Sequence, residues 1–322
     1  MRKPFTVTQA LRSVSAALFL GAMAMAPVHA EDWPTKPIRL VVPAPPGGIT
    51  DGVARLIAHQ LQTNLGQAVI VDNKPGAGGS MGMDQLARSP ADGYTLAFSG
   101  ISTLSLLPHV MKVAYDPIKQ FRPVASTMYA PVYLLATKAF AGDTVADVLA
   151  AAKKGPKGVT MASSGYGTLG HIMIEQFTRQ TGANLVHVPY KGGPEAITAV
   201  LRGETCCIMN QVQTVLPHAK SGKVRLLGVT TAARVAAVQD VPPIGSSGLP
   251  GTQGFDSSIW FGLSAPRGTD PRVVALLEDE ITKQTNLSTG TRSRALLRVK
   301  LQAQENGWPL PSDATLYRVL SR

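Results

Sequence analysis

The chain has 322 residues, 31 of them Lys or Arg against 20 Asp or Glu, for a formal charge of +11; 44% of it is hydrophobic and 6% aromatic. That apolar content supports a packed core without cross-links. The two cysteines, Cys206 and Cys207, are neighbours whose disulfide would need a strained ring, so a disulfide scaffold is excluded and two buried free thiols are expected. The basic residues are scattered apart from Arg292, Arg294, Arg298 and Lys300, and none form an aromatic-interleaved stretch, which argues against nucleic acid and leaves a mild positive field suited to small anions.

The N-terminus reads as an export signal over residues 1–30. Arg2, Lys3 and Arg12 precede an apolar run from Val14 to Ala26, and Val28-His29-Ala30 satisfies the small-residue rule for cleavage. The run is too short for a stable membrane span, so the mature chain is expected to begin near Glu31 and to be periplasmic. Roughly 290 residues then remain, enough for two lobes.

In chain order, Ile38 to Pro43, Ala68 to Asp72, Tyr94 to Ser99, Val132 to Thr137, Val159 to Ser163, Leu185 to Val188, Val224 to Thr230 and Ile259 to Ala265 read as strands alternating with helical stretches. Continuous apolar strands bounded by glycine and proline predict an α/β chain with parallel sheets covered by helices. Helical stripes are predicted from Val53, Leu56, Ile57, Leu61 and Leu65, from Leu169, Ile172, Met173 and Phe177, and from Val273, Val274, Leu277 and Ile281, with Thr50 as the N-cap of the first. Joints rich in proline and glycine near Phe121 to Pro131 and Val241 to Gly254 are read as two crossings between lobes. The first lobe is then discontinuous, 31–130 and 241–322, around a second lobe at 131–240.

Two strand–glycine loop–helix segments carry the functional signal. Leu40 to Asp51 contains Gly47-Gly48 and runs into Val53 to Leu65; Val159 to Thr168 contains Gly165-Tyr166-Gly167 and runs into Leu169 to Thr181. A glycine loop lets backbone N–H groups approach a ligand, and the helix behind it adds unpaired amides and the positive end of its dipole. One such cup from each lobe makes a clamp for a small acid, with its ends at the carboxyl ends of strands.

Other patterns weigh less. Gly78-Gly79-Ser80-Met81-Gly82 matches G-x-S-x-G, but Asn73 to Gly76 lengthens the loop before it, and Ser80 is read as the start of the helix holding Leu86. His171 and Glu175 share a helical face without a third ligand, so no metal site is expected. Neither phosphate-loop nor dinucleotide fingerprint occurs, so no cofactor is expected. Trp260 and Phe261 are read as core residues near the hinge.

Several blocks together resemble a known family. Val41-Val42-Pro43 with Pro46-Gly47-Gly48-x-Thr50-Asp51, Val71-x-Asn73-Lys74-Pro75-Gly76-Ala77-Gly78-Gly79, Asp92-Gly93-Tyr94-Thr95-Leu96, His187-Val188-Pro189-Tyr190-Lys191-Gly192 and Trp260-Phe261-Gly262-Leu263-x-Ala265-Pro266 are similar, in order, to the Bug (TctC-like) solute receptors of tripartite tricarboxylate transporters. The resemblance covers roughly Trp33 to Leu277. It implies a two-lobed, type II periplasmic-binding-protein (Venus flytrap) fold, a non-enzymatic receptor with a small carboxylate ligand, and membrane permease subunits as partners, with a monomer as the default. It implies that Pro46, Gly47, Gly48, Thr50 and Asp51 form the first cup and Ser163, Ser164, Gly165, Gly167 and Thr168 the second, with His171 and Tyr190 behind them. Acidic positions of the family appear here as Ala199 and Cys206, a Pro-Thr pair with a downstream glutamate as Pro242-Pro243 and Ser247, and an apolar helix residue as Gly52; the resemblance is weak from Thr285 to Arg322. Alternatives left open by the sequence are a sensor subunit for a signalling partner and a serine hydrolase using Ser80 or Ser163.

Overall fold

The computed structural model describes residues 33–235 and 238–284. The export signal, the Arg292 to Lys300 run and the part of the first lobe beyond Gln284 lie outside the described residues. The described sheets and helices belong to one unit that begins at Lys36.

That unit holds β1 (Ile38–Val42), α1 (Ile49–Leu65), β2 (Val69–Asn73), α2 (Ser80–Ala87), β3 (Thr95–Gly100), β4 (Phe121–Thr137), α3 (Val145–Lys153), β5 (Val159–Ser163), α4 (Leu169–Thr181), β6 (Leu185–Pro189), α5 (Gly193–Leu201), β7 (Cys207–Gln211), α6 (Val212–Lys220), β8 (Val224–Val229), β9 (Ser258–Pro266) and α7 (Pro271–Gln284). Each of the eight expected strands is present, and β7 adds one that was not expected. The ladder runs β2-β1-β3-β9-β4-β7-β5-β6, with β8 also on β4. The expectation of parallel sheets holds within β2-β1-β3 and within β6-β5-β7. It fails at the middle, where β9 and β4 run antiparallel to their neighbours.

The stretch Phe121 to Pro131, expected as a joint, is the first part of β4. Its residues pair with β9, and from Val132 onward the same strand pairs with β7 and β8. Pro123 lies at a register slip (Pro123/Ala125), where a bulge relieves the missing donor, and Pro131 falls where β4 leaves β9 for β7 and β8. The segment from Val241 packs near β8: Val229 N–H donates to Pro242 O, and a methyl on Gly228 would strike Ile244. The chain rejoins the first half-sheet at Ser258, where β9 begins opposite Pro131.

The helix stripes divide. On α7, Val273, Val274, Leu277 and Ile281 are all buried, as expected. On α1 the buried face is Asp51, Ala54, Ala58 and Leu61, and Leu56 is 73% exposed. The small alanines let α1 lie close to the sheet, so spacing by the largest apolar side chains pointed to a neighbouring face. On α4 Ile174 joins Leu169, Met173 and Phe177 in the core, while Ile172 is only partly buried. Cys207 is buried and Cys206 half-buried, both as free thiols.

Candidate functional site

The first cup is built at the end of β1. Gly47 has φ +81, a left-handed turn that costs glycine nothing, and Gly48 (φ −84, ψ 173) is the N-cap of α1 without any side-chain cap. The helix therefore starts at Ile49, capped two residues before Thr50, which falls inside the first turn instead of capping it. The first intrahelical bond is from Gly52 N–H to Gly48 O at 2.9 Å, leaving the amides of Gly48 to Asp51 without helical partners. Gly48 and Thr50 line a cavity of about 680 Å³. Pro46 and Gly47 are exposed and do not line it.

Asp51, grouped with the cup by resemblance, turns away from the cavity. It is 4% exposed; its carboxylate accepts from Gly47 N–H at 2.9 Å and Arg55 Nε at 3.1 Å, and Arg55 in turn reaches Asn73 Oδ1 at 3.3 Å. Burial pushes this carboxyl up, but the hydrogen bonds from Arg55, Gly47 and Asn73 outweigh it and hold its pKa below the ordinary value. The side chain ties the loop to the helix. Asp51→Ala is expected to cost about 2 kcal/mol in urea unfolding and to weaken ligand binding by freeing Gly47, with Asp51→Asn losing less.

The second cup follows β5. Gly165 (φ +134) and Gly167 (φ +75) carry the turn, and Thr168 is the N-cap of α4, its Oγ1 donating to Gly165 O at 2.7 Å. A methyl on Gly167 would lie 2.3 Å from Leu107 Cδ1, so only glycine fits where this loop meets the segment after β3. Leu169 N–H donates to Ser102 Oγ at 3.1 Å, a further tie between the two halves. Ser164, Gly165, Thr168 and Tyr190 line the same cavity as the first cup; Ser163, Gly167 and His171 do not.

The predicted cups thus meet at one cavity, which has more walls than the sequence indicated. Pro75–Gly79 and Ser99–Thr103 join from the first half, and Gly192–Pro194, opening α5, joins from the second with Asn210, Gln211 and Thr214. Glycine density before α2 was the available signal for the first of these, and the rule that ligands bind at carboxyl ends of strands points to the residues after β3. Asn210 was hidden because β7 was not recognised. Phe261 is 6% exposed and stacked on Phe98 at 5.7 Å, a core placement as expected, and it also forms part of the cavity wall. Among the described residues Lys191 is the one charged lining residue. An anion there is met mainly by peptide N–H groups, hydroxyls and amides.

Behind the second cup lies an aromatic stack. The His171 ring is 4.2 Å from that of His187 and 4.5 Å from that of Tyr166. His171 Nδ1 accepts from Gly167 N–H at 3.1 Å, and its Nε2 is 3.8 Å from Glu175. His187 Nε2 is 2.6 Å from Ser163 Oγ, which also bonds the Gly165 backbone. Burial lowers the pKa of His171 against the opposing pull of Glu175. Burial, then the neighbouring His171, lowers that of His187 to about 4. Both rings are therefore neutral at pH 7, and Nδ1 of His171 stays free to accept.

The Ser163–His187 pair has a nucleophile–base distance, but Ser163 is 0% exposed and, among the described residues, no carboxylate hydrogen-bonds the histidine to orient it. Ser80 opens α2 behind Gly79, as expected. Among the described residues no three His, Cys, Asp or Glu side chains gather as metal ligands.

Comparison with known proteins agrees with this geometry. A family model described as "Tripartite tricarboxylate transporter family receptor" matches residues 53–295. Protein BugT of Bordetella pertussis is 36% identical over 263 residues, 80% of this chain and 79% of its own length. Among solved structures, Rhodopseudomonas palustris Rpa4515 with adipate matches with TM-score 0.79 and 29% identity over 90% of this chain and 99% of that one. MatC of the same organism with bound malate matches with TM-score 0.74 and 31% identity over 81% and 88%. The fold is the two-lobed periplasmic-binding-protein fold, and its relatives of known structure bind solutes. The chain belongs to the Bug, or TctC-like, family of tripartite tricarboxylate transporter receptors.

Proposed function

We propose that this protein is a periplasmic receptor that captures a small carboxylated solute between two lobes and presents it to the membrane permease of a tripartite tricarboxylate-type transporter. One observation carries the reading: the N-termini of α1, α4 and α5, drawn from both half-sheets, meet at one cavity whose charged lining among the described residues is a single lysine. Unpaired amides and dipole ends suit a carboxylate without a full counter-charge. Malate in MatC and adipate in Rpa4515, both relatives of this chain, support an acidic solute.

In this reading residues 1–30 direct export, and the chain works as a monomer. The first lobe is 31–130 with the C-terminal part, and the second is built around 131–240. The return crossing, expected near Val241 to Gly254, is put later in this reading, at Ser257–Ser258; the bond from Thr230 Oγ1 to Ser257 O at 2.6 Å and the start of β9 at the next residue support it. Gly48, Thr50, Ser164, Gly165, Thr168 and Tyr190 contact the ligand directly. Pro46, Gly47, Asp51, Ser163, Gly167 and His171 shape the loops that do so. Ligand contacts available only when both cups face one solute select the closed arrangement.

The test is thermal unfolding of Glu31 to Arg322 with a panel of small carboxylates, after partial unfolding and refolding to remove co-purified ligand. A ligand at a hundredfold its Kd adds about 2.7 kcal/mol, a shift of several degrees. The expected result is a shift confined to one acid class, with the acid recovered chemically unchanged. Turnover of the acid, or a flat response in a cooperatively unfolding protein, counts against the receptor reading.

A further inference from the structure

The two thiols stand apart from the cavity. Cys206 lies one residue before β7, and about 13 Å of strand rise separates it from Asn210 on the cavity wall. The pair is also unequal. Cys207 is 0% exposed, registered between Ala136 of β4 and Met161 of β5, whereas Cys206 is partly exposed. Neighbours within a strand point to opposite faces, yet these two sulfurs are 3.6 Å apart, with the Cys207 S–H donating to Cys206 Sγ. The chain at Cys206 has left the pleat, and the buried thiol is aimed at the accessible one.

That contact gives the two sulfurs different chemistry. A donor aimed at a sulfur favours its charged form, and the thiolate is the form that attacks disulfides. The Cys207 S–H accordingly holds the Cys206 thiol below its ordinary pKa, against the opposing effect of burial. The same contact, and then burial, pushes Cys207 well up. The accessible sulfur is the nucleophile, and the buried one is its donor.

The backbone opposes a bond between the two. A disulfide brings its sulfurs to about 2.05 Å, and here it would close a strained ring through the peptide group that joins the two residues. Cys206 O accepts from Thr137 N–H at 2.9 Å, and Cys206 N–H donates to Thr160 Oγ1 at 2.9 Å, so the chain at this point is tied to β4 on one side and β5 on the other. Twisting the peptide for ring closure would strain both ties. A bond from Cys206 to an outside sulfur requires neither to break.

We propose that Cys206 is a modification site that exchanges with small-molecule disulfides to give a lasting mixed disulfide, Cys207 being the positioning thiol that activates it and not a resolving thiol. In the exchange the Cys206 thiolate attacks one sulfur of R–S–S–R. The bond from Cys206 Sγ to that sulfur forms, the S–S bond of the reagent breaks, and the departing thiolate takes up the proton that Cys206 released, so one RSH leaves. Cys206 is oxidised, and the departing sulfur is reduced.

The experiment incubates folded Glu31 to Arg322 with oxidised glutathione at neutral pH, following intact mass, released thiol and the modified peptide. Cys206→Ser, Cys207→Ala and Cys207→Ser variants are treated alike, and the unfolding midpoint of each is measured. The expected result is one glutathione per chain, on Cys206, with one thiol released and full reversal by a reductant. Cys206→Ser takes up none. Cys207→Ala reacts about threefold or more slowly, and Cys207→Ser, whose hydroxyl still donates, recovers most of the rate. No adduct before the chain is unfolded, an adduct on Cys207, or two thiols released per chain without an adduct overturns the proposal; these are read on the unsubstituted protein, whatever the variants' midpoints. An undiminished rate in folded Cys207→Ala overturns the role of Cys207. Carboxylate binding enters none of these measurements, so the receptor reading stands or falls separately.

Discussion

Gly48→Asp is expected to abolish carboxylate binding while leaving the protein as stable as before, or slightly more so. The backbone at Gly48 (φ −84, ψ 173) is open to any residue, and an added Cβ would lie 3.6 Å from Pro194 Cδ, an ordinary contact. Aspartate is moreover a favoured N-cap, able to accept from the amides of the first turn that Gly48 leaves uncapped. Those are the amides proposed to hold the ligand, so the side chain takes their place at the cavity and adds a negative charge beside any incoming acid. At about 4 Å and an effective dielectric near 20, that repulsion is roughly 4 kcal/mol, or about a thousandfold in affinity. Calorimetric titration beside a thermal melt separates the two effects. Retained affinity would remove the first cup from the site; lost affinity with a collapsed melt would show instead that Gly48 serves the fold.

Acid is the second strong lever. The pKa of His187 is lowered from 6.5 to about 4, first by burial and then by the ring of His171. The sign follows from linkage. Above pH 6.5 neither the folded nor the unfolded chain holds this proton, and stability is at its full value. Between 6.5 and about 4 the unfolded chain takes the proton and the folded one does not, so stability falls as pH falls; below about 4 both hold it and the loss levels off. The whole loss from this one group is about 3 kcal/mol, or ~5–10 °C in the unfolding midpoint. His171, also lowered by burial although Glu175 opposes it, adds loss in the same direction. Protonating His171 at Nδ1 would also end the bond from Gly167 N–H, so affinity should drop with stability as the second cup loses its support. Replacing His187 by glutamine should flatten the midpoint between pH 6.5 and 4; an unchanged slope would assign the acid sensitivity to other groups.

How far the sequence could be read depends on what kind of signal each element left. A strand such as Val132 to Ala136 announces itself by an unbroken apolar run, and the glycine loops by residues that only a turn requires. β7 did not, because Cys207-Ile208-Met209-Asn210-Gln211 ends in two polar residues that face a cavity instead of a core. The first part of β4 was masked by Pro123 and Pro131, the one accommodated by a bulge and the other by a change of partner strand, both against β9 well over a hundred residues away. On α1, Leu56 looked like core and is solvent-exposed, while Ala54 and Ala58, too small to dominate a pattern, face the sheet. At the site, the glycines and Thr168 were legible because their role is local. Asp51 was legible as a conspicuous charge, though only the fold reveals that its carboxylate is spent on Gly47 and Arg55. Ser99 and Asn210 carry no local mark at all; their meaning arises when two strand ends from different halves are brought to one cavity.

The place of β9 has a consequence for how the molecule comes into being. It is the last described strand in the chain, yet it lies in the middle of the ladder, with β3 on one side and β4 on the other. Until residue 258 has emerged, β3 and the first part of β4 have no shared neighbour, and the three-stranded β2-β1-β3 sheet has an open flank. Its closure joins segments well over a hundred residues apart, so it bears a loop entropy that local contacts cannot offset early. Assembly is therefore gated from the C-terminal side. A nascent chain stopped before Ser258 should hold both glycine loops and still fail to form a stable first half, and the finished protein should unfold as one cooperative body instead of shedding one lobe at a time.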